Sequence, residues 1–174
     1  NQAAVNLCTS GPMVDKARMM GIRNVQLWPK AVDTQTYHPS RATEQMRERL
    51  TDGNPDSPLV TYIGRVSKEK DLERLDHVMQ LVREELGSAR LAVVGDGPAL
   101  EELKSNFDPA HTVFTGYLSG EELAAAFAVG DVFLFPSATE TLGLVALESF
   151  ASGVPVIGTN AGGIPFVIEE GVTG

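Results

Sequence analysis

Five short apolar runs, each closed by a glycine or a proline and each separated from the next by a longer stretch, constrain this 174-residue chain more than any other feature. They are PLVTYIG at 58–64, RLAVVG at 90–95, HTVFTG at 111–116, DVFLFP at 131–136 and GVPVIG at 153–158. A run that is apolar throughout suits a strand covered on both faces, and strands that alternate with helices are joined by right-handed crossovers. Between the first two runs, Leu72, Leu75, Val78, Met79, Val82 and Leu86 recur at helical spacing, with Glu73, Arg74, Asp76, Arg83 and Glu84 elsewhere. A second helix is expected to open at Asp96-Gly97-Pro98 and continue as ALEEL, with the proline early, where a missing N–H costs least. A third is expected after Ser119-Gly120-Glu121-Glu122, which has the spelling of a capping box, through LAAAFA. The expected fold class is α/β, a doubly wound, Rossmann-like parallel sheet.

The segment from Asp33 to Pro58 breaks this rhythm, with Pro39, Pro55 and Pro58 around the helical pattern ATEQMRERL, and reads as a connection carrying one helix. No repeat of about 20–50 residues is present, which excludes a solenoid or propeller. The length suits one domain at roughly 100–200 residues each. A formal net charge of −9 without a Lys/Arg run excludes a nucleic-acid partner, so any anion must be held by a few placed cations. The single Cys8 excludes an internal disulfide and a cysteine-rich metal site, and is expected as a small buried hydrophobe. No stretch approaches the roughly 18 apolar residues of a membrane span, since Gly143 to Ile157 is interrupted by Glu148, Ser149, Ser152, Gly153 and Pro155. NQAAVNLCTS lacks a basic leader and EEGVTG closes on no element, so the chain is expected to be a fragment cut at both ends.

In an open parallel sheet, ligands collect beyond the carboxyl ends of the strands, and five places there invite chemistry. After the first run, Gly64 permits a tight turn, and Arg65 and Lys70 could converge on a diphosphate or serve only as surface cations. Gly95-Asp96-Gly97-Pro98 fits a nucleotide-facing turn or plain turn geometry, and is neither a P-loop nor a G-x-G-x-x-G fingerprint, because Leu100 stands at the third glycine. Gly116-Tyr117-Leu118 could hold a nucleobase or pack as a turn. Glu140 falls in the loop after the fourth run and Glu148 eight residues on, amid Val145, Ala146, Leu147 and Phe150, where a carboxylate asks for hydrogen-bond donors such as vicinal sugar hydroxyls. Thr141, Leu142, Gly143 and Leu144 sit at the start of that helix, where backbone N–H groups favour phosphate or hydroxyl oxygens, although two surface glutamates fit the spacing as well. Ala161-Gly162-Gly163 suits close approach to a ligand or to a neighbouring helix.

The ordered set G-R-x4-K, V-G-D-G-P, F-x-G, P-S-x2-E-x7-E, G-x-P-V and A-G-G-x-P resembles the carboxyl-terminal, donor-binding half of retaining GT-B glycosyltransferases, the large family that includes sucrose, mannosyl and glycolipid synthases. The likeness runs from about Ser10 to Gly174, with Ala31 as a departure where the family usually has glycine before Val-Asp. Within the family, VDTQTYHPSRATEQMRERLTDGNPDSPLVTYIGRVSKEKDLERL and GDVFLFPSATETLGLVALESFASGVPV are most similar to the sulfolipid-synthesising branch of plants and algae. The resemblance implies a donor domain spanning residues 1–174, with its acceptor domain absent and its carboxyl end incomplete. It implies Arg65, Lys70 and Glu140 as catalytic residues, the two cations neutralising the departing nucleoside diphosphate and Glu140 holding the donor sugar. Gly64, Gly95, Gly116, Tyr117, Leu118, Thr141, Leu142, Gly143, Leu144 and Glu148 would bind the donor, Glu148 through the ribose hydroxyls. No metal and no cofactor beyond the nucleotide-sugar substrate is implied, in keeping with three separated histidines and the lack of a D-x-D. The branch implies UDP-sulfoquinovose as donor, diacylglycerol as acceptor, a chloroplast location and peripheral membrane contact through the missing domain. UDP-glucose or GDP-mannose as donor, with a cytoplasmic location, and a noncatalytic nucleotide-binding module are the alternatives.

Overall fold

The computed structural model describes residues 3–28, 31–140 and 142–174. All five apolar runs are strands of one parallel sheet: β3 (Leu59–Ile63), β4 (Arg90–Val94), β5 (Thr112–Gly116), β6 (Val132–Phe135) and β7 (Val156–Gly158), in the order β5-β4-β3-β6-β7. They follow a smaller element of β1 (Asn6–Cys8), α1 (Gly11–Met19) and β2 (Val25–Leu27), in which β1 and β2 pair in parallel. Both strands carry a polar residue, Asn6 in the first and Gln26 in the second, and so lack the run of apolar residues that marked the other five. Cys8 is not the buried hydrophobe expected, but lies partly exposed on β1.

The remaining helices are α2 (Glu44–Leu50), α3 (Arg74–Leu86), α4 (Leu100–Asn106), α5 (Gly120–Ala128) and α6 (Leu144–Ala151). The centre of the sheet is buried on both sides because β3, β4 and β6 divide their side chains between two cores. Leu59 and Ile63 of β3, Ala92 and Val94 of β4, and Phe133 and Phe135 of β6 pack with Leu50, Ala126, Phe127 and Ala146 of α2, α5 and α6. Val60 and Tyr62, Leu91 and Val93, and Leu134 pack on the opposite face with Leu75, Met79 and Leu103 of α3 and α4. Burial of one such large side chain contributes about 1.5–3 kcal/mol, so the doubly covered centre of the sheet dominates the stability of the domain.

Helix boundaries depart from the sequence expectation in three places. In α3, Leu75 and Met79 are buried, but Val78 and Leu86 face outward at 36% and 55% exposure, so its apolar stripe is narrower than the spacing suggested. Helix α4 starts at Leu100, after the turn at Gly97-Pro98, which it does not include. Ser119 precedes α5 with extended backbone, yet its side chain makes no capping hydrogen bond, so the capping-box spelling is not used. By contrast, Thr43 does cap α2, accepting the Met46 N–H at 3.2 Å. That helix is anchored by Arg47, whose guanidinium donates to the Pro55, Val129 and Ser57 carbonyls and to Asp131 at 2.6–3.0 Å, tying α2 to the amino ends of β3 and β6.

Candidate functional site

The strand order places a switch point between β3 and β6. The chain proceeds from β3 outward through β4 to β5, then returns across both to lay β6 on the other flank of β3. Loops leaving the carboxyl ends of β3 and β6 therefore diverge and leave a crevice, the usual ligand position in such sheets. Lys70, from a 3-10 turn at Lys68–Lys70, and Glu140, from the loop after β6, meet there with Nζ and Oε2 2.8 Å apart. Their side chains are only 19% and 20% exposed, so Glu140 is not a surface glutamate. The Thr139 hydroxyl donates to the Glu69 carbonyl at 3.3 Å and joins the same two loops a second time.

Behind Glu140 lies the Ala161-Gly162-Gly163 turn. Gly162 has φ +61, and a Cβ there would come within 2.7 Å of the Glu140 carbonyl oxygen and 2.9 Å of that of Ala138. The Gly163 N–H donates to the Glu140 carbonyl, and the Thr159 hydroxyl to the Ser137 carbonyl at 2.7 Å. The glycine pair thus serves close packing of two loops, rather than of a loop against the neighbouring helix.

Beside the ion pair, a cleft of about 340 Å³ opens over the carboxyl ends of β3, β4 and β5. Gly64, Arg65, Gly95, Asp96, Tyr117 and Leu118 line it from the sheet side, and Tyr37, Phe127, Val145 and Glu148 from across. Its floor requires glycine: Gly95 has φ +140, and a Cβ there would collide with the Gly64 carbonyl oxygen. In return, the Gly64 N–H donates to the Val94 carbonyl, the Val66 N–H to that of Asp96 and the Gly95 N–H to that of Gly116, each at 2.9 Å. Buried Tyr62 adds a further hold, its hydroxyl donating to the Arg65 carbonyl at 2.8 Å while its burial pushes its pKa up. The exposed Arg65 side chain is therefore carried on a backbone fixed from below.

Glu148 stands on α6, half-buried, and burial raises its pKa above the ordinary carboxylate value while the nearby Tyr37 hydroxyl partly offsets that rise. Tyr37 is itself shifted up, first by burial and then by the Glu148 charge. Its ring meets Phe127 edge-on, with centroids 5.2 Å apart and planes at 84°.

Of the residues expected to act, Gly64, Arg65, Gly95, Tyr117, Leu118 and Glu148 line one cleft, and Lys70 and Glu140 form the ion pair at the switch point. Gly116 lies under the cleft as the acceptor for Gly95. Leu142 and Gly143 lead into α6, Gly143 at φ +65, and Leu144 is its first residue, 43% exposed. Thr141 lies outside the described residues. Tyr37 and Tyr62 escaped the sequence reading. The signal for Tyr37 was the preceding Asp33-Thr34-Gln35-Thr36, an Asx-type turn spelling, whereas Tyr62 inside an apolar strand gave none. Among the described residues, no group of three His, Cys, Asp or Glu is arranged to hold a metal, and no helix is long and apolar enough to cross a membrane.

A doubly wound α/β domain with a cation–carboxylate pair at its switch point and a half-buried carboxylate across an adjoining cleft has its chemistry-bearing residues where open parallel sheets place their ligands. The chain belongs to the family described as glycosyl transferases group 1, whose model matches residues 57–174. It is 48% identical over 153 residues, 86% of its length, to sulfoquinovosyl transferase SQD2 of Arabidopsis thaliana, of which it covers 29%. It is 35% identical over its whole length to a GDP-mannose-dependent alpha-mannosyltransferase of Corynebacterium glutamicum, of which it covers 40%. The chain thus spans less than half the length of these relatives. In fold it superposes on Anabaena HepE, solved with UDP-glucose, at a TM-score of 0.78 and 20% identity, covering 99% of this chain and 49% of that one. Sucrose-phosphate synthase of Thermosynechococcus elongatus gives 0.75 at 25% identity, covering 95% and 43%.

Proposed function

We propose that this chain is the donor-binding half of a retaining glycosyltransferase that moves sulfoquinovose from UDP-sulfoquinovose to diacylglycerol. The observation that carries the reading of the site is the cleft itself, which sets Arg65, Tyr117 and Glu148 around one cavity beside the Lys70–Glu140 pair. Glu148 accepts the ribose hydroxyls, Tyr117 and Leu118 border the base, and Arg65 with Lys70 faces the diphosphate. Negative charge grows on the diphosphate as the sugar bond breaks, so cations placed there act most strongly in the transition state. They occupy the role a divalent metal has in other transferases. Glu140 holds the donor sugar, with the backbone of 141–144 alongside.

The sulfolipid donor and acceptor, with a chloroplast location and contact with the membrane surface through the rest of the protein, are supported by the 48% identity to the Arabidopsis enzyme. A second reading, transfer of mannose from GDP-mannose, is favoured by the 35% and 37% identity to two mannosyltransferases. Turnover of the intact protein with each sugar nucleotide, with diacylglycerol as acceptor, separates them. UDP-sulfoquinovose is expected to be consumed and GDP-mannose not. Arg65→Ala or Lys70→Ala is expected to lower turnover roughly 10²–10³-fold, the scale of losing one preorganised charge-stabilising donor. Unchanged turnover in both variants refutes the reading of the site.

A further inference from the structure

We propose that Tyr62 is a positioning residue for the leaving diphosphate: its buried hydroxyl takes the place of a strand partner for Arg65 and so sets the direction in which that side chain leaves the sheet. The inference rests on the reading of Arg65 as a cation facing the diphosphate and adds the group that aims it.

Inside a parallel sheet, successive residues turn their N–H and C=O groups alternately to the two neighbouring strands. On the β4 flank the chain is still paired beyond the end of β3, the Gly64 N–H donating to the Val94 carbonyl and the Val66 N–H to that of Asp96, each at 2.9 Å. Arg65 stands between those two residues and therefore turns its carbonyl to the opposite flank, that of β6. There the ladder has already ended, since the register with β6 joins Val60 to Val132 and Thr61 to Phe133. The Tyr62 hydroxyl fills the gap, donating to the Arg65 carbonyl at 2.8 Å.

The donor is itself held. Tyr62 is 1% exposed and lies nearly parallel to Phe133, with ring centroids 6.4 Å apart and planes at 11°. Its hydroxyl passes Gly64, where a Cβ would stand 3.2 Å from the oxygen, so glycine leaves the path open. Burial, reinforced by the charges of Glu140 and Glu69, pushes the phenol pKa up, so the group keeps its proton and remains a donor. The exposed Arg65 side chain thus leaves from a base fixed on both flanks, over the cleft that it lines. Without the hydroxyl, the carbonyl regains a partner only by turning toward water, and that rotates the peptide carrying Arg65. A misplacement of about 1 Å can cost a positioned group up to ~10²-fold.

The test is a double-mutant cycle on the intact protein with wild type, Tyr62→Phe, Arg65→Ala and the double variant. Phenylalanine keeps the packing on Phe133 and removes only the hydroxyl. Affinities are measured for UDP and GDP, so that the base does not decide the outcome, and for uridine and guanosine, which carry no phosphate. Tyr62→Phe is expected to weaken the diphosphates about threefold to tenfold, the scale of one neutral hydrogen bond. Nucleoside affinity should hardly change, and that retained binding reports an intact cleft. In the Arg65→Ala background, Tyr62→Phe should have no further effect on either diphosphate, because the group it aims is gone. Turnover of the sugar nucleotide that the wild type consumes should fall at least as far as diphosphate affinity, since charge on the diphosphate grows as the sugar bond breaks.

If Tyr62→Phe binds diphosphates as the wild type does while Arg65→Ala does not, the positioning role is overturned and the diphosphate reading of Arg65 stands. The role is equally overturned if Tyr62→Phe costs the same factor with and without Arg65, or weakens nucleosides as much as diphosphates, since the hydroxyl then supports the cleft as a whole. If Arg65→Ala leaves the preference for diphosphate over nucleoside unchanged, the reading of Arg65 fails and the proposal falls with it.

Discussion

Replacing Glu140 by glutamine separates what the Lys70–Glu140 pair does for the fold from what it does for the ligand. At 2.8 Å, and with an effective dielectric of about 20, the gross attraction is about 6 kcal/mol. Desolvation of two ions that are four-fifths covered costs several kcal/mol each and removes most of that gain. The net coupling expected is about 1–2 kcal/mol, above the ~0.2–1 of exposed pairs and below the ~3–5 lost on breaking a fully buried one. It is measured by a double-mutant cycle of Lys70→Met, Glu140→Gln and the double variant in urea unfolding. Lys70→Met should cost more than Glu140→Gln, about 2–3 against about 1 kcal/mol, because it removes the cation beside a covered carboxylate whereas glutamine keeps a hydrogen-bond acceptor for the ammonium.

Ligand binding should diverge in sign. On the proposed reading Lys70 meets the diphosphate, so Lys70→Met weakens UDP, whereas Glu140→Gln frees the ammonium from a competing anion and tightens UDP by about threefold to tenfold, or ~0.7–1.4 kcal/mol. Turnover in Glu140→Gln should nonetheless fall, since UDP lacks the sugar that Glu140 is to hold. Calorimetric titration of UDP into the three variants reads the sign directly. A coupling energy near zero, or a Glu140→Gln variant that loses UDP affinity as Lys70→Met does, refutes the reasoning.

Three further outcomes follow from the packing and charge around the site. Gly95→Ala should lower stability by at least about 1–3 kcal/mol in urea unfolding, since φ +140 strains any Cβ and the Gly64 carbonyl occupies its place, and UDP binding should fall with it because the cleft floor is displaced. Arg47→Met should cost about 2–4 kcal/mol by leaving three carbonyls without their donor, yet leave UDP affinity unchanged, because Arg47 clamps the amino ends of β3 and β6, away from the cleft. Glu148→Gln should raise the melting temperature of the ligand-free protein at pH 7. A carboxyl whose folded pKa is raised above its unfolded value favours the fold below the unfolded pKa and loses that contribution as pH rises through the folded one, so the advantage of glutamine should vanish near pH 4 and grow above it.

What the sequence disclosed and what it concealed follow from how far each signal travels along the chain. The central strands β3, β4 and β6 were legible because burial on both faces imposes a local composition, and each of the five apolar runs contains one strand of the main sheet. Strands β1 and β2 were not, because of their six residues only Val25 is buried and polar Asn6 and Gln26 interrupt them. The Ser119 box failed for another reason: its four letters permit a reciprocal cap, but Ser119 makes no such hydrogen bond in the structure.

Within the site the division is sharper. Glu148 stood out because charge inside an apolar helix is costly, and Arg65, Lys70 and Glu140 because they follow strands' carboxyl ends, both features visible in a window of a few residues. Tyr37 carries no such cost where it stands in the chain. Only the fold sets it in one cleft with a carboxylate 111 positions later. Tyr62 is similar, an ordinary strand aromatic until its hydroxyl meets the Arg65 carbonyl one turn away. Gly95 and Gly162 complete the pattern, since each is needed for what another loop places against it, the Gly64 carbonyl in one case and those of Ala138 and Glu140 in the other. The groups that would touch a ligand are thus readable by their local expense, whereas the groups that hold them still are defined by contacts between distant segments. Substitution of a supporting residue such as Gly95 should therefore move the geometry of a ligand group without changing its identity.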